Sequence, residues 1–300
     1  MDRLNILYRG PLSSCNYDCH YCPFAKRRES ASELRVDREC LERFLRWLEP
    51  RTHRPHGLFF TPWGEALVRP WYRDAIVEAS HWPQTARVAI QTNLSPKLDW
   101  LNAARRDRVA LWCTYHPGET SSEKFLEQCE TLEQLKVKYS VGTVGLTEHA
   151  EEIESLRRAL PSHIYLWINA AKSTEPHIAN SVAERFRHID PLYPINRTAH
   201  ASFGKACDTG ESAISVDGEG NVRRCHFVEE KLGNLYESEL ETLLKPRPCP
   251  NSTCGCHIGY VHMPEMKLKP IFDENILERI PLKWPSQREV DRGSESRVRS

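Results

Sequence analysis

The sequence predicts an α/β chain in which an open, partial (β/α)6 barrel of TIM-like design precedes a small C-terminal domain. Three observations point there. Six apolar runs of strand length alternate with segments of helical periodicity as far as about residue 190. Such alternation implies a parallel sheet with helices packed against it. Six units are two short of a closed eight-fold barrel, so the sheet is expected to stay open. Beyond Pro191 the alternation stops, and Cys207, Cys225, Cys249, Cys254 and Cys256 fall within fifty residues. The expected division is a barrel over 1–190, a cysteine-bearing domain over 191–265 and an extension over 266–300.

The elements follow in order. Residues 4–8 are apolar enough for a buried first strand. Asp37 stands where it can cap a helix with Leu41, Phe44, Leu45 and Leu48 at helical spacing, stopped near Pro50. A second strand at 57–61 runs into Pro62-Trp63-Gly64-Glu65, with a helix over about 70–80. The third strand is expected at 87–93 with a helix at 96–106, and the fourth at 109–115. Thr120-x-x-Glu123 has the form of a capping box, opening a helix with Phe125, Cys129 and Leu132 inside. Strands five and six are expected at 139–144 and 164–169, with helices at 149–160 and 178–189. In the C-terminal region, 213–225 reads as a hairpin around an Asp-Gly-Glu-Gly-Asn turn. A short helix within 271–282 is expected to pack back on the barrel, and 288–300 is too polar to order.

Composition narrows the function classes. Lys+Arg and Asp+Glu each total 41, so the formal net charge is zero. That leaves no basic footprint for nucleic acid or an anionic membrane surface. No apolar run reaches membrane-spanning length, and the N-terminus does not have the form of a signal peptide. Eleven cysteines in an unexported chain indicate metal or redox use rather than disulfides, and a cytoplasmic location. Cys40, Cys113 and Cys129 sit in apolar segments and read as core packing.

The loop after the first strand carries Cys15-Asn-Tyr-Asp-Cys19-His-Tyr-Cys22. Iron–sulfur clusters are held by thiolates at short spacings. Three thiolates on a four-iron cubane leave one iron open to an exogenous ligand. Structural zinc takes four protein ligands, and this loop supplies three, with His20 poorly placed to be the fourth. Cluster binding is the preferred reading and zinc the alternative.

This stretch resembles the signature of the radical S-adenosylmethionine (radical SAM) superfamily. The resemblance implies a (β/α)6 core, a [4Fe–4S] cluster on Cys15, Cys19 and Cys22, and S-adenosylmethionine on the open iron. It also implies reductive cleavage to a 5′-deoxyadenosyl radical, and hence an enzyme fed by a reductant such as flavodoxin or ferredoxin. Gly64-Glu65 resembles the family's Gly-Gly-Glu element, with Trp63 in place of the first glycine. Tyr21 resembles the aromatic that contacts the adenine, and Phe24 is assigned to packing around the cluster. Thr92, Asn93, Thr114 and His116, at the ends of strands three and four, are candidate ribose or carboxylate contacts. Asn169 is a candidate substrate contact. Gly142-Thr-Val144 near Glu148 loosely resembles the fifth-strand adenine motif.

The pattern Cys207-x12-Gly220-x4-Cys225 is similar to the opening of SPASM and twitch extensions of that family. Five cysteines suit the shorter twitch type, with one auxiliary [4Fe–4S] cluster on Cys207, Cys225 and two of Cys249, Cys254 and Cys256. A zinc knuckle, with or without His257, is the alternative. The implied substrate is a peptide or natural-product-like molecule. Oxidation or rearrangement of a small metabolite is one alternative, and a non-enzymatic zinc scaffold another.

Overall fold

A computed structural model describes residues 3–24, 27–172, 174–175 and 177–284. The disorder expected at 288–300 lies outside the described residues. Strand β1 (Leu4–Arg9) leads through the cysteine loop to α1 (Ala31–Leu48), then β2 (His56–Phe60) and α2 (Pro70–His81). β3 (Thr85–Thr92) connects to β4 (Val109–Thr114), followed by α3 (Ser122–Leu135), β5 (Lys138–Gly145) and α4 (Ala150–Ala159). β6 (Leu166–Ala170) and α5 (Asn180–Ile189) complete the alternation. α6 (Tyr193–Arg197) and β7 (His200–Ala201) lead to β8 (Ala213–Asp217), β9 (Asn221–Arg223) and β10 (Lys231–Asn234). Short elements close the chain: α7 (Leu240–Leu243), β11 (Thr253–Cys254), α8 (His257–Tyr260) and α9 (Lys269–Phe272).

The six strands of the alternation lie parallel in sequence order, as expected, and the hairpin adds to them. The sheet runs β10-β9-β8-β1-β2-β3-β4-β5-β6, with β8 parallel to β1 along Asn5–Ala213 to Arg9–Asp217. The C-terminal hairpin therefore extends the barrel sheet rather than standing clear of it. Gly220, at φ +83, makes its turn, and a Cβ there would lie 2.3 Å from the ring of Tyr236.

Local differences from the sequence expectation have simple causes. Helix α1 starts at Ser30, whose hydroxyl and Glu33 form a complete capping box. That reciprocal pair is a better terminus than a lone aspartate. Asp37 is instead buried nearly two turns in, accepting from Leu12 N (3.1 Å), Trp71 Nε1 (2.8 Å) and Tyr72 OH (3.0 Å). The 96–106 segment is no α-helix but two 3₁₀ turns, Asp99–Asn102 and Arg106–Arg108. Leu98, Leu101 and Ala104 reach the core there, at the spacing of three that a 3₁₀ turn stacks on one side. The cap of α3 moves one residue, to Ser121, which accepts from Lys124 N at 3.4 Å. Cys113 and Cys129 are buried as expected, while Cys40 is only half-buried.

Two apolar layers flank the sheet. Helices cover the outside through Tyr8, Phe44, Phe60, Ile76 and Phe186. The inner face (Leu7, Phe59, Ala89, Ala110, Trp112, Trp167) is closed by Tyr260, Met263, Leu268, Phe272 and Leu277. Residues 257–279 thus return into the barrel interior as a plug. Glu278 anchors it, pairing with Arg87 of β3 at 3.0 Å while its carbonyl accepts from Ser140 at 2.8 Å.

Candidate active site at the barrel mouth

The cysteine loop leaves β1 at the C-terminal edge of the sheet, where barrels of this kind place their chemistry, and is laced to the β2 loop. Trp63 N donates to Leu12 O and Glu65 N to Ser14 O, both at 3.1 Å. A Cβ on Gly64 would lie 1.8 Å from Ser14 O, so only glycine allows this approach. Glu29 accepts from the amides and hydroxyls of Ser13 and Ser14. The loop is thereby held from both sides before the first cysteine.

Cys15, Cys19 and Cys22 are thiols rather than disulfides and line one cavity of about 490 Å³, within the range of small-ligand sites. Burial pushes the Cys19 thiol up to about 12 and also raises Cys15. Bare thiolates are disfavoured here, and a bound metal core would ionise them by direct ligation. Among the described residues no three Cys, His, Asp or Glu side chains converge on one point as the ligands of a single ion would. A cluster takes its thiolates at separate corners, so three thiols spread around one cavity suit its donor chemistry. The Tyr21 hydroxyl lies 2.9 Å, and Cys19 Sγ 3.4 Å, from His116 Nδ1. Burial lowers His116 to about 4, leaving the ring neutral. His20 turns away to Glu148, at 3.3 Å.

Glu65 is fully buried under the mouth. Its carboxylate accepts from Leu67 N (2.9 Å), Thr92 Oγ1 (2.8 Å) and Asn93 N (2.5 Å). Burial nevertheless raises it to about 7, the three donors pulling the other way. Asn93 Nδ2 reaches Asn16 Oδ1 at 3.0 Å and Cys15 Sγ at 3.8 Å, tying β3 to the cysteine loop. Thr92 is thus engaged by Glu65, whereas the buried Oγ1 of Thr114 has no protein partner among the described residues and lines the cavity. Asn169 stands exposed at the rim, and Val144 lines the wall. Gly142 lies deeper, where a Cβ would come within 2.0 Å of the Trp167 ring.

Several lining residues escape sequence reasoning. Arg9 ends β1, donates to Thr61 O at 2.8 Å and lies 3.9 Å over the Trp63 ring. Trp63 in turn packs on Phe24 at 4.3 Å between centroids. Lys172 donates to Gly255 O. Arg279 and His257 enter from the plug. Arg9 and Lys172 could have been suspected from their places after β1 and β6, but no pattern in the sequence marks Arg279.

The five C-terminal cysteines are likewise thiols rather than disulfides. The Cys207, Cys254 and Cys256 thiols lie near enough to Cys225 to raise it further, although burial is the larger cause and brings it to about 12. Cys254 is raised to about 11, first by burial and then by Cys256, Cys207 and Cys249. Cys256 is half-buried and lines the cavity itself. His257 packs its ring on Trp112, Tyr260 and Phe272, within the barrel.

The chain is similar in fold to three solved structures. One is native anSMEcpe with bound AdoMet and Kp18Cys peptide, at TM-score 0.55 and 13% identity, covering 82% of this chain and 81% of that one. The complex with AdoMet and Cp18Cys peptide matches at TM-score 0.53 and 14% identity, over 80% and 82%. Native anSMEcpe with bound AdoMet matches at TM-score 0.51 and 14% identity, over 80% and 82%. No family model matches the sequence, and no curated protein does. At these identities the likeness establishes a shared fold, that of proteins solved with AdoMet bound.

Proposed function

We propose that this chain is a radical SAM enzyme acting on a peptide or natural-product-like substrate. The observation that carries the reading is the meeting of three cysteine thiols with Glu65, Thr114 and His116 around one cavity at the barrel mouth. A fold shared with AdoMet-bound proteins supports it. Cys15, Cys19 and Cys22 would hold a [4Fe–4S] cluster, and Gly64, Glu65, Thr114 and His116 would contact AdoMet. Together these cofactors supply a reducing electron and a 5′-deoxyadenosyl radical.

The protein's part is placement. Thr92 and the Asn93 amide hold the Glu65 carboxylate under the mouth. Asn93 Nδ2 steadies Cys15 and Asn16. Tyr21 and His116 flank Cys19, where hydrogen bonds to a ligating sulfur tune the cluster. The aromatic pair Trp63–Phe24 packs together at the mouth, both rings partly open to solvent. We assign an auxiliary cluster to the C-terminal cysteines, and an electron donor such as flavodoxin or ferredoxin as partner. A second reading, oxidation or rearrangement of a small metabolite, is favoured by one observation: the plug closes the bottom of the cavity.

Anaerobic purification followed by iron, sulfide and 5′-deoxyadenosine analysis under dithionite tests the proposal. Iron with stoichiometric sulfide and AdoMet cleavage that Cys19→Ala abolishes are the expected results. A colourless, zinc-loaded protein that never cleaves AdoMet would falsify it.

A further inference from the structure

The cavity is lined by three cations and one carboxylate. Glu65 is that carboxylate, and three hydrogen bonds already occupy it. Arg279 is 1% exposed, with its guanidinium 4.5 Å from the Trp167 ring and 5.3 Å from Trp112. Among the described residues its Nε has no hydrogen-bond partner, and no carboxylate lies within ion-pair distance of it. Its neighbour Glu278 is committed to Arg87. Asp190 acts on it only from further off, and its oxygens already accept from Tyr165 OH, Ile168 N and Leu192 N. Among the described residues, Lys172 and Arg9 donate to carbonyl and hydroxyl oxygens alone. His257 Nε2, buried on the same wall, also lacks a partner among them.

A buried charge is normally paired, because the desolvation cost of leaving it alone is large. Aromatic faces compensate a guanidinium only in part. We propose that this floor is an anion site: Arg279, with Lys172 and Arg9 on the wall, binds a carboxylate or phosphate carried by the substrate. Depth separates Arg279 from the proposed AdoMet contact Thr114. Trp112 and Trp167 sit two residues before Thr114 and Asn169 on their strands, on the same face and one step further from the mouth. The indole walls fit an anion with a flat or apolar body. Only the word substrate rests on the radical SAM reading; the anion site stands on the charges alone.

The test is calorimetric titration of the anaerobically reconstituted protein with 3-phenylpropionate, its uncharged amide 3-phenylpropionamide, inorganic phosphate and AdoMet. The acid should bind at least about tenfold more tightly than the amide, as hydrogen bonds to a charged group imply. Arg279→Gln and Lys172→Gln should each weaken the acid by about tenfold, with AdoMet affinity unchanged within about twofold. Phosphate binding tighter than that of the acid would assign the anion as a phosphate, and the reverse as a carboxylate. Lys172 is only half-buried, so its variant decides the matter if Arg279→Gln does not fold. Equal affinity for acid and amide overturns the proposal. So does a loss of AdoMet rather than probe affinity, which would assign the cations to the AdoMet carboxylate. Unchanged probe binding with lost iron would assign them to the auxiliary cysteines and equally overturn it. A protein that binds the acid but holds no iron would refute the enzyme reading and leave the anion site intact.

Discussion

Tyr21 OH and His116 Nδ1 stand 2.9 Å apart, their rings nearly parallel at 14°, with Cys19 Sγ 3.4 Å from the same nitrogen. Burial and the nearby Cys19 raise the Tyr21 phenol far above its ordinary range. The phenol therefore stays protonated, and the tautomer of the neutral imidazole sets which of the two donates. Partners behind a metal ligand commonly change affinity or activity by about 10–100-fold when removed. We expect Tyr21→Phe to lower the rate of 5′-deoxyadenosine formation by about tenfold and to move the cluster midpoint potential. An EPR-monitored redox titration matching the wild type, with an unchanged rate, would remove Tyr21 from the site.

Glu65 couples the mouth to folding stability. Its folded value of about 7 lies above the ordinary 4.5. Between those values the native chain binds more protons than the unfolded one, so stability falls as pH rises. The contribution is complete below about 4.5 and lost as pH passes 7. A shift of this size amounts to about 3 kcal/mol. Urea unfolding of wild type and Glu65→Gln across that window should show the wild-type advantage shrinking as pH rises. A difference that stays flat with pH would mean that Glu65 is ionised throughout, its three donors outweighing burial.

Much of this could be read beforehand, and the misses share a cause. The six strands were visible because parallel strands buried on both faces are continuous apolar runs, as in β4, where all six residues from Val109 to Thr114 are buried. Cys15, Cys19 and Cys22, which line one cavity, stood out by their short spacing. Arg279 was not visible, since its place in the cavity comes from a plug that returns into the barrel to meet Trp112 and Trp167. Nor was the pairing of β8 with β1, such as Ala213 with Asn5, which joins segments far apart in the chain with no local signal. Asp37 was misplaced because a buried carboxylate and a helix cap look alike until its partners Trp71 and Tyr72 are known.

Asp37 supplies a direct test of how the cysteine loop is held. Its carboxylate accepts from Leu12 N on the loop and from Trp71 and Tyr72 on α2. Asp37→Ala leaves two buried donors and one part-buried one without partners, each buried one at a cost of about 1–3 kcal/mol. We expect a loss of about 3–5 kcal/mol in chemical denaturation, and lower iron retention as Leu12 is released. A loss below about 1 kcal/mol would mean that water replaces the carboxylate and that the loop is held from the β2 side alone.

The auxiliary ligand set can be narrowed by geometry. Cys254 ends β11, and Cys256 continues in extended backbone at φ −114 and ψ 141. Side chains two apart on an extended chain share a face, so this tight pair can serve one cluster. Cys254, Cys207 and Cys256 all act on Cys225, whereas Cys249 acts on Cys254 and more weakly than Cys256 and Cys207 do. The expected ligands are therefore Cys207, Cys225, Cys254 and Cys256, with Cys249 spare. Cys225→Ala and Cys256→Ala should each lose about four irons per chain, one cluster's worth, while Cys249→Ala keeps its full complement. Iron lost from Cys249→Ala and retained in Cys256→Ala would reverse the choice. It would also free the Cys256 thiol to face the cavity, where burial raises it against the weaker pull of Arg279, Lys172 and Arg9.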